Sequence, residues 1–241
     1  MNRLFQYTTS RLLQSFRFIE YHFDGLFDPM RFKNCDFSNG AEPYTNIASN
    51  GKKYSIFDPE YWDKQWRYWE ESKKGGKNYY ADVANFVNKS SKGVFEIGCG
   101  PGYLIESIHP SIHYKGIDLS REAIIMARKK LKNKNFECYV DTIENMSSYL
   151  SNDKFDTFVA IDMLEHLNND FLNLVVEVIT NYKHFKFIYI VTPYLNRVPS
   201  RGHIQCFSKS NIKKLLREAY LLKFKPYRNY TEFLIVGQRK T

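Results

Sequence analysis

Ten residues set the terms for this chain: Val94-Phe95-Glu96-Ile97-Gly98-Cys99-Gly100-Pro101-Gly102-Tyr103. Four residues of strand type run into a glycine-rich turn, and Leu104 to Ile108 read as the start of a helix. Glycines let the backbone take left-handed angles and let a ligand approach closely, and a helix N-terminus offers free N–H groups. The pattern therefore predicts a nucleotide-type site. It is not the dinucleotide fingerprint G-x-G-x-x-G, whose third glycine falls at 103, where this chain has Tyr. Glu96, at the end of the strand, would repel a pyrophosphate and suit an ammonium group. The ligand that satisfies both conditions is a nucleoside carrying an amino acid.

S-adenosylmethionine (SAM) meets that description, and three further motifs follow in order. Glu96-x-Gly98-x-Gly100-x-Gly102 resembles the first motif of class I SAM-dependent methyltransferases. Tyr114-Lys115-Gly116-Ile117-Asp118-Leu119-Ser120 resembles their second strand, Phe155 to Leu167 their fourth-strand motif, and Ile188 to Tyr194 their fifth strand. The resemblance covers roughly residues 80 to 240. It is similar to the branch that methylates quinone precursors and related small acceptors.

The surrounding pattern agrees with that family. From Tyr79 onward strand and helix signals alternate: helix 79–89, strand 93–98, helix 102–108, strand 113–118, helix 120–132, strand 136–140, a short helix near 143–150, strand 155–161, helix 164–181, strand 186–192 and helix 208–219. Strands at about 221–226 and 232–238 then form a hairpin. Such alternation implies an α/β fold, a mostly parallel sheet covered by helices on both faces. The resemblance makes it a Rossmann-like class I methyltransferase sheet with its last strand antiparallel. Ahead of it, Leu12, Phe16, Ile19 and Phe23 mark an amphipathic helix, and residues 24–56 read as an irregular connection. Asp58-Pro59 starts a helix with Trp62, Trp66 and Trp69 along one face. A Lys/Gly stretch at 72–78 marks the boundary. The expected organisation is an N-terminal helical extension and lid over residues 1–77, with a methyltransferase domain over 78–241. In relatives such a helix covers the cofactor, so one of the tryptophan rings is expected in the acceptor pocket.

Ligands of open α/β sheets bind at the carboxyl ends of the strands. Asp118 lies 18 residues beyond Gly100, near the offset at which nucleotide folds place a ribose acid. The cofactor set expected from motif and resemblance is Glu96, Gly98, Gly100, Gly102, Asp118, Leu119, Asp141, Thr142, Ile161 and Asp162. By resemblance, Asp141 accepts the adenine amine and Leu119 packs on its ring. Asp162, Glu165 and His166 fall at i, i+3, i+4, one face of a helix, and His203 follows the fifth strand. His166 and His203 are the candidate bases for an acceptor hydroxyl. Relatives that methylate the 2′-oxygen of small RNAs hold a divalent cation with such acids and histidines, but carry Glu where this chain has the shorter Asp162. A metal is thus left open and not favoured.

The net charge is +9, of which residues 151–241 carry +6. That excess attracts phosphates, yet it is not clustered with aromatics as an RNA-stacking surface requires. The expected partner is a small-molecule or glycan-like acceptor and not a nucleic acid. An RNA 2′-O-methyltransferase and a non-catalytic SAM-fold binding module are the alternatives. Four cysteines without C-x-x-C spacing, no apolar run of membrane-spanning length and no secretory signal point to the cytoplasm. The basic N-terminal helix leaves membrane-surface contact open, and the oligomeric state cannot be read.

Overall fold

The computed structural model describes residues 55–71, 80–130, 135–151, 155–194, 203–227 and 232–241, with the backbone of 46–47 and 53–54. The expected helix over 1–23, nearly all of the 24–56 connection and the 72–78 boundary lie outside the described residues. A short antiparallel pair, β1 (Asn46–Ile47) and β2 (Lys53–Tyr54), precedes helix α1 (Pro59–Glu71). Asp58 opens α1 by accepting the Glu60 N–H at 2.9 Å.

Next come α2 (Tyr80–Ser90), β3 (Gly93–Ile97), β4 (His113–Asp118), α3 (Arg121–Lys130), β5 (Phe136–Val140), α4 (Met146–Leu150) and β6 (Thr157–Ile161). The chain closes with α5 (Asn169–Asn181), β7 (Phe187–Pro193), α6 (Lys209–Leu216), β8 (Tyr220–Tyr227) and β9 (Glu232–Arg239). Strands β3 to β9 make one sheet in the order β5-β4-β3-β6-β7-β9-β8. Strands β5, β4, β3, β6 and β7 pair in parallel, whereas β9 pairs antiparallel with both β7 and β8, so the last strand is reversed as expected.

Alternation along the strands divides the core in two. Phe95, Ile97, Phe158 and Ala160 face α4, α5 and α6, while Val94, Tyr114, Val159 and Ile161 face α2 and α3. Strands β3 and β6 are buried along their whole length. Residues apolar on both faces are what a parallel sheet covered by helices requires. Strand order reverses at β3, between β4 and β6, and that is where an open α/β sheet leaves a crevice.

Two expected helices are changed. Residues 102–108 form successive turns, with Ser107 and Ile108 donating to the Leu104 carbonyl. Left-handed Gly102 and Pro110 bound this segment, and burial of Tyr103, Leu104, Ile105 and Ile108 holds its path. The helix expected over 164–181 is interrupted. Leu164–His166 is a single 3-10 turn, Leu167 is extended, and Asn168 starts α5 by accepting the Phe171 N–H at 2.8 Å. An Asn N-cap competes with helix continuation, so Asp162, Glu165 and His166 do not share a helix face. No helix among the described residues is long and apolar enough to cross a membrane.

Candidate active site

A cavity of about 510 Å³ opens at the carboxyl ends of β3, β4, β5 and β6 and is roofed by α1. Of the expected cofactor residues, Gly98, Asp118, Leu119, Asp141, Thr142, Ile161 and Asp162 line it, as do both histidines. Glu96, Gly100 and Gly102 are not among its lining residues.

The loop after β3 is held by its glycines. Gly98 has φ +65°, and a Cβ there would lie 2.5 Å from the Met163 side chain. Gly100 has φ +52° and lies under the Trp66 ring, so a Cβ would come within 2.9 Å of it. Such angles and contacts leave no room for another residue.

Behind this loop Glu96 is fully buried, and its Oε2 accepts the Tyr114 hydroxyl. Its Oε1 is buried with no hydrogen-bond partner. Burial lifts the Glu96 pKa to about 8, against the pull of the Tyr114 hydrogen bond. Asp118 accepts the Gly100 N–H on Oδ2 and the Ser120 N–H on Oδ1, each at 2.8 Å. Burial raises its pKa to about 6, although both N–H groups favour the charged form. Each carboxylate oxygen keeps a second acceptor position for a ligand hydroxyl.

Asp141 is already well engaged. Its Oδ1 accepts from the Thr142 N–H and the Asn145 amide, and its Oδ2 accepts the Tyr149 hydroxyl at 2.5 Å. Partial burial pushes its pKa up, but these three donors outweigh it and the net shift is downward.

The roof is fixed by Asp63, a residue that no motif marks. Its Oδ1 accepts the Ser120 hydroxyl at 2.5 Å and the Glu122 N–H at 3.0 Å, and Arg67 pairs with Glu122 at 2.6 Å. Helix α1 is thereby tied to the start of α3, with Trp62, Trp66 and Trp69 in the cavity wall.

At the far end, the 3-10 turn after β6 presents Glu165 and His166. The Glu165 carbonyl accepts the N–H groups of Ile204 and Gln205 at 2.8 and 3.0 Å, which brings His203 alongside. The His166 and His203 rings stand edge to face with centroids 4.9 Å apart, and Trp62 contacts His166 at the same distance. The Glu165 side chain is 1% exposed; Oε2 accepts the Thr192 hydroxyl at 3.1 Å and Oε1 has no hydrogen-bond partner. Burial first, then the neighbouring Asp162 charge, raises its pKa well above the usual carboxylate range. Asp162 itself sits in the left-handed region at φ 50°, which Asp tolerates better than most residues.

Ligand atoms of Glu165, His166 and His203 lie within 4.8 Å of one another. One carboxylate and two imidazoles are a competent donor set for a divalent transition metal, whose bonds to each would be ~2.0–2.2 Å. The residues present therefore fit such an ion. Phe57, Phe171 and Glu232 complete this end of the cavity; they come from separate elements and carry no spacing signal in the sequence.

Residues 94–183 match the family described as Methyltransferase domain. The chain is similar to a phthiotriol/phenolphthiotriol dimycocerosates methyltransferase of Mycobacterium leprae (strain TN), 29% identical over 114 residues that cover 46% of this chain and 41% of the relative. It is also similar to the mitochondrial ubiquinone biosynthesis O-methyltransferase of Dictyostelium discoideum, 28% identical over 101 residues, 35% of this chain and 32% of the relative. The chain thus spans less than half the length of either curated relative. Among solved structures, a SAM-dependent methyltransferase from Archaeoglobus fulgidus shares the fold with TM-score 0.58 and 16% identity, over 72% of this chain and 99% of that one. The small RNA methyltransferase HEN1 shares it with TM-score 0.56 and 17% identity, over 68% of this chain and 25% of that one. Sequence match and sheet order converge on one conclusion: residues 94–183 match a methyltransferase domain, and the chain has the fold of SAM-dependent methyltransferases, with the last strand reversed.

Proposed function

We propose that this chain transfers the methyl group of SAM to a hydroxyl of a small-molecule or glycan-like acceptor, and does so in the cytoplasm. The observation that carries the reading is the His166–His203 pair in the same cavity as Asp118 and the Gly98 turn. Asp118 would take the ribose hydroxyls, Leu119 and Ile161 would flank the adenine, and Asp141 and Thr142 would meet its amine edge. Gly100 and Gly102 shape the loop, Glu96 braces it from behind, and Asp162 stands where the methionine portion would pass.

The reaction needs alignment and one proton acceptor. The S–CH₃ bond breaks as the acceptor oxygen bonds to the methyl carbon, and the electron pair stays on sulfur, giving S-adenosylhomocysteine. The hydroxyl proton passes to a neutral imidazole nitrogen of His203 or His166 and then to solvent. Holding oxygen, carbon and sulfur in line can supply ~7–11 kcal/mol of the barrier reduction. The aromatic roof of α1 excludes water from that line.

The Glu165-His166-His203 cluster favours a second reading, in which these residues hold a divalent cation instead of acting as base. A bound cation would supply positive charge that makes an acceptor hydroxyl easier to ionise. With the fold likeness to HEN1, it keeps an RNA 2′-hydroxyl in view as the acceptor.

Calorimetry with SAM, S-adenosylhomocysteine and NAD tests the shared premise: the adenosyl ligands should bind and NAD should not. Methyl-labelled SAM is then offered to total RNA and to a small-molecule and glycan extract. Label in ethers of the extract supports the proposal. Label in RNA replaces it with the second reading, and absence of SAM binding overturns both.

A further inference from the structure

Both carboxylate oxygens of Asp118 lead to the roof. Oδ1 accepts the Ser120 N–H, and the Ser120 hydroxyl donates to Asp63 of α1 at 2.5 Å. Oδ2 accepts the Gly100 N–H, and Gly100 lies under the Trp66 ring of the same helix. Asp63 and Trp66 stand at i and i+3, on one face of α1. Asp63 also accepts the Glu122 N–H at 3.0 Å, while the Ser120 hydroxyl oxygen accepts the Ala123 N–H at 3.1 Å. A carboxylate of α1 thus shares with Ser120 the first turn of α3, where N–H groups lack partners within the helix. The two carboxylates also feel each other: burial is the main cause of the raised Asp118 pKa, and the Asp63 charge adds to it.

What α1 covers is cavity and not core. Among the described residues of α1 only Tyr61 is buried, whereas Trp62, Gln65, Trp66 and Trp69 line the cavity. An amphipathic helix ordinarily sets its apolar stripe against a packed core. Over a cavity, its seat depends on what fills the space and on its polar ties. We infer that Asp63 is a positioning residue that couples the seat of α1 to occupancy of Asp118. A ribose held by Asp118 steadies Ser120 and Gly100, and these steady the helix through Asp63 and Trp66. By linkage, the seated helix holds the cofactor in return. Asp63 is not among the lining residues of the cavity, so it acts through Ser120 and not on the ligand. The inference rests on the reading of this cavity as the SAM site, and it adds a residue that governs how long an adenosyl ligand stays.

The three tryptophans of the chain, Trp62, Trp66 and Trp69, all lie on α1, so intrinsic fluorescence of the full chain reports this helix alone. Acrylamide quenching reads how well the helix is seated, and dissociation of S-adenosylhomocysteine after dilution reads how long the cofactor end is held. Asp63→Ala should release the ligand about tenfold or more faster than wild type. Association should change little, and at saturating ligand the tryptophans of this variant should be more open to acrylamide. Asp63→Asn keeps an oxygen that can accept from Ser120 and Glu122 and should stay near wild type. If Asp63→Ala does not fold, Asp63→Ser, whose hydroxyl stops short of both donors, takes its place. Dissociation at the wild-type rate in the alanine or serine variant overturns the inference, as does an asparagine variant that is equally fast. Absence of S-adenosylhomocysteine binding in the wild type would instead overturn the SAM reading itself.

Discussion

The His166 and His203 rings meet edge to face at 4.9 Å although one follows β6 and the other follows β7. Their approach is enforced by backbone, through the bonds from Ile204 and Gln205 to the Glu165 carbonyl. If the pair supplies the base, His203→Ala or His166→Ala should lower kcat by ~10²–10⁴-fold. SAM affinity should hold, because Asp118 and the glycine loop lie at the other end of the cavity. Single-turnover rates and calorimetry on both variants check this. Full kcat in both alanine variants would remove the histidines from the chemistry.

A divalent cation at the same cluster predicts a different pattern. Prolonged EDTA should then abolish turnover, and a divalent transition metal should restore it. Glu165→Gln should be as damaging as either histidine change, and the protein should bind one equivalent of metal measurable by elemental analysis. Chelator-insensitive turnover with no bound metal would leave the base reading alone.

If Asp118 holds the ribose as proposed, it ties the cofactor end of the site to pH. Its two backbone donors leave acceptor capacity for ribose, and its pKa stands near 6 because burial outweighs them. Asp118→Asn should weaken binding of S-adenosylhomocysteine by roughly 1.5–3 kcal/mol, the scale of hydrogen bonds to a charged group. In the wild type, affinity should be flat above about pH 7 and fall about tenfold by pH 5, as the carboxylate takes up a proton. The Asn variant should lose that dependence. Equal affinity at pH 5 and pH 7 in the wild type would show that another group holds the ribose.

Much of this arrangement was legible in the sequence for local reasons. A glycine loop, an acid at the end of β4 and a run of apolar strands each leave a mark within a few residues. Even Asp58 and Pro59 announce α1 correctly. What could not be read depends on contacts between distant segments. Asp63 fastens α1 to α3 from the middle of a helix that reads only as amphipathic. Glu96 was expected to meet the ligand, and whether its side chain turned into the cavity or behind the loop depended on Tyr114 one strand away. The helix expected from Leu164 onward failed at Asn168, where a cap outweighed the periodicity that placed Asp162, Glu165 and His166 on one face. The residues still arrive at one cavity, carried there by a 3-10 turn.

Glu96 gives the fold a pH dependence of its own. In the unfolded chain it titrates near 4.5, and in the folded chain burial holds it near 8. Below pH 4.5 the group is protonated in both states and contributes no difference. Between the two values the unfolded chain gives up this proton while the folded chain keeps it. Stability must therefore fall as pH rises through that window, by at most about 1.4 kcal/mol per pH unit. Above pH 8 the loss is complete, because the ionised carboxylate is then buried beside Tyr114 with one oxygen unpartnered. Glu96→Gln keeps the shape and an acceptor for the Tyr114 hydroxyl but cannot ionise. The variant should gain stability relative to wild type as pH is raised from 5 to 8. Urea denaturation of the two proteins at a series of pH values measures that difference directly. Parallel curves across the window would mean that Glu96 is not the buried acid described here.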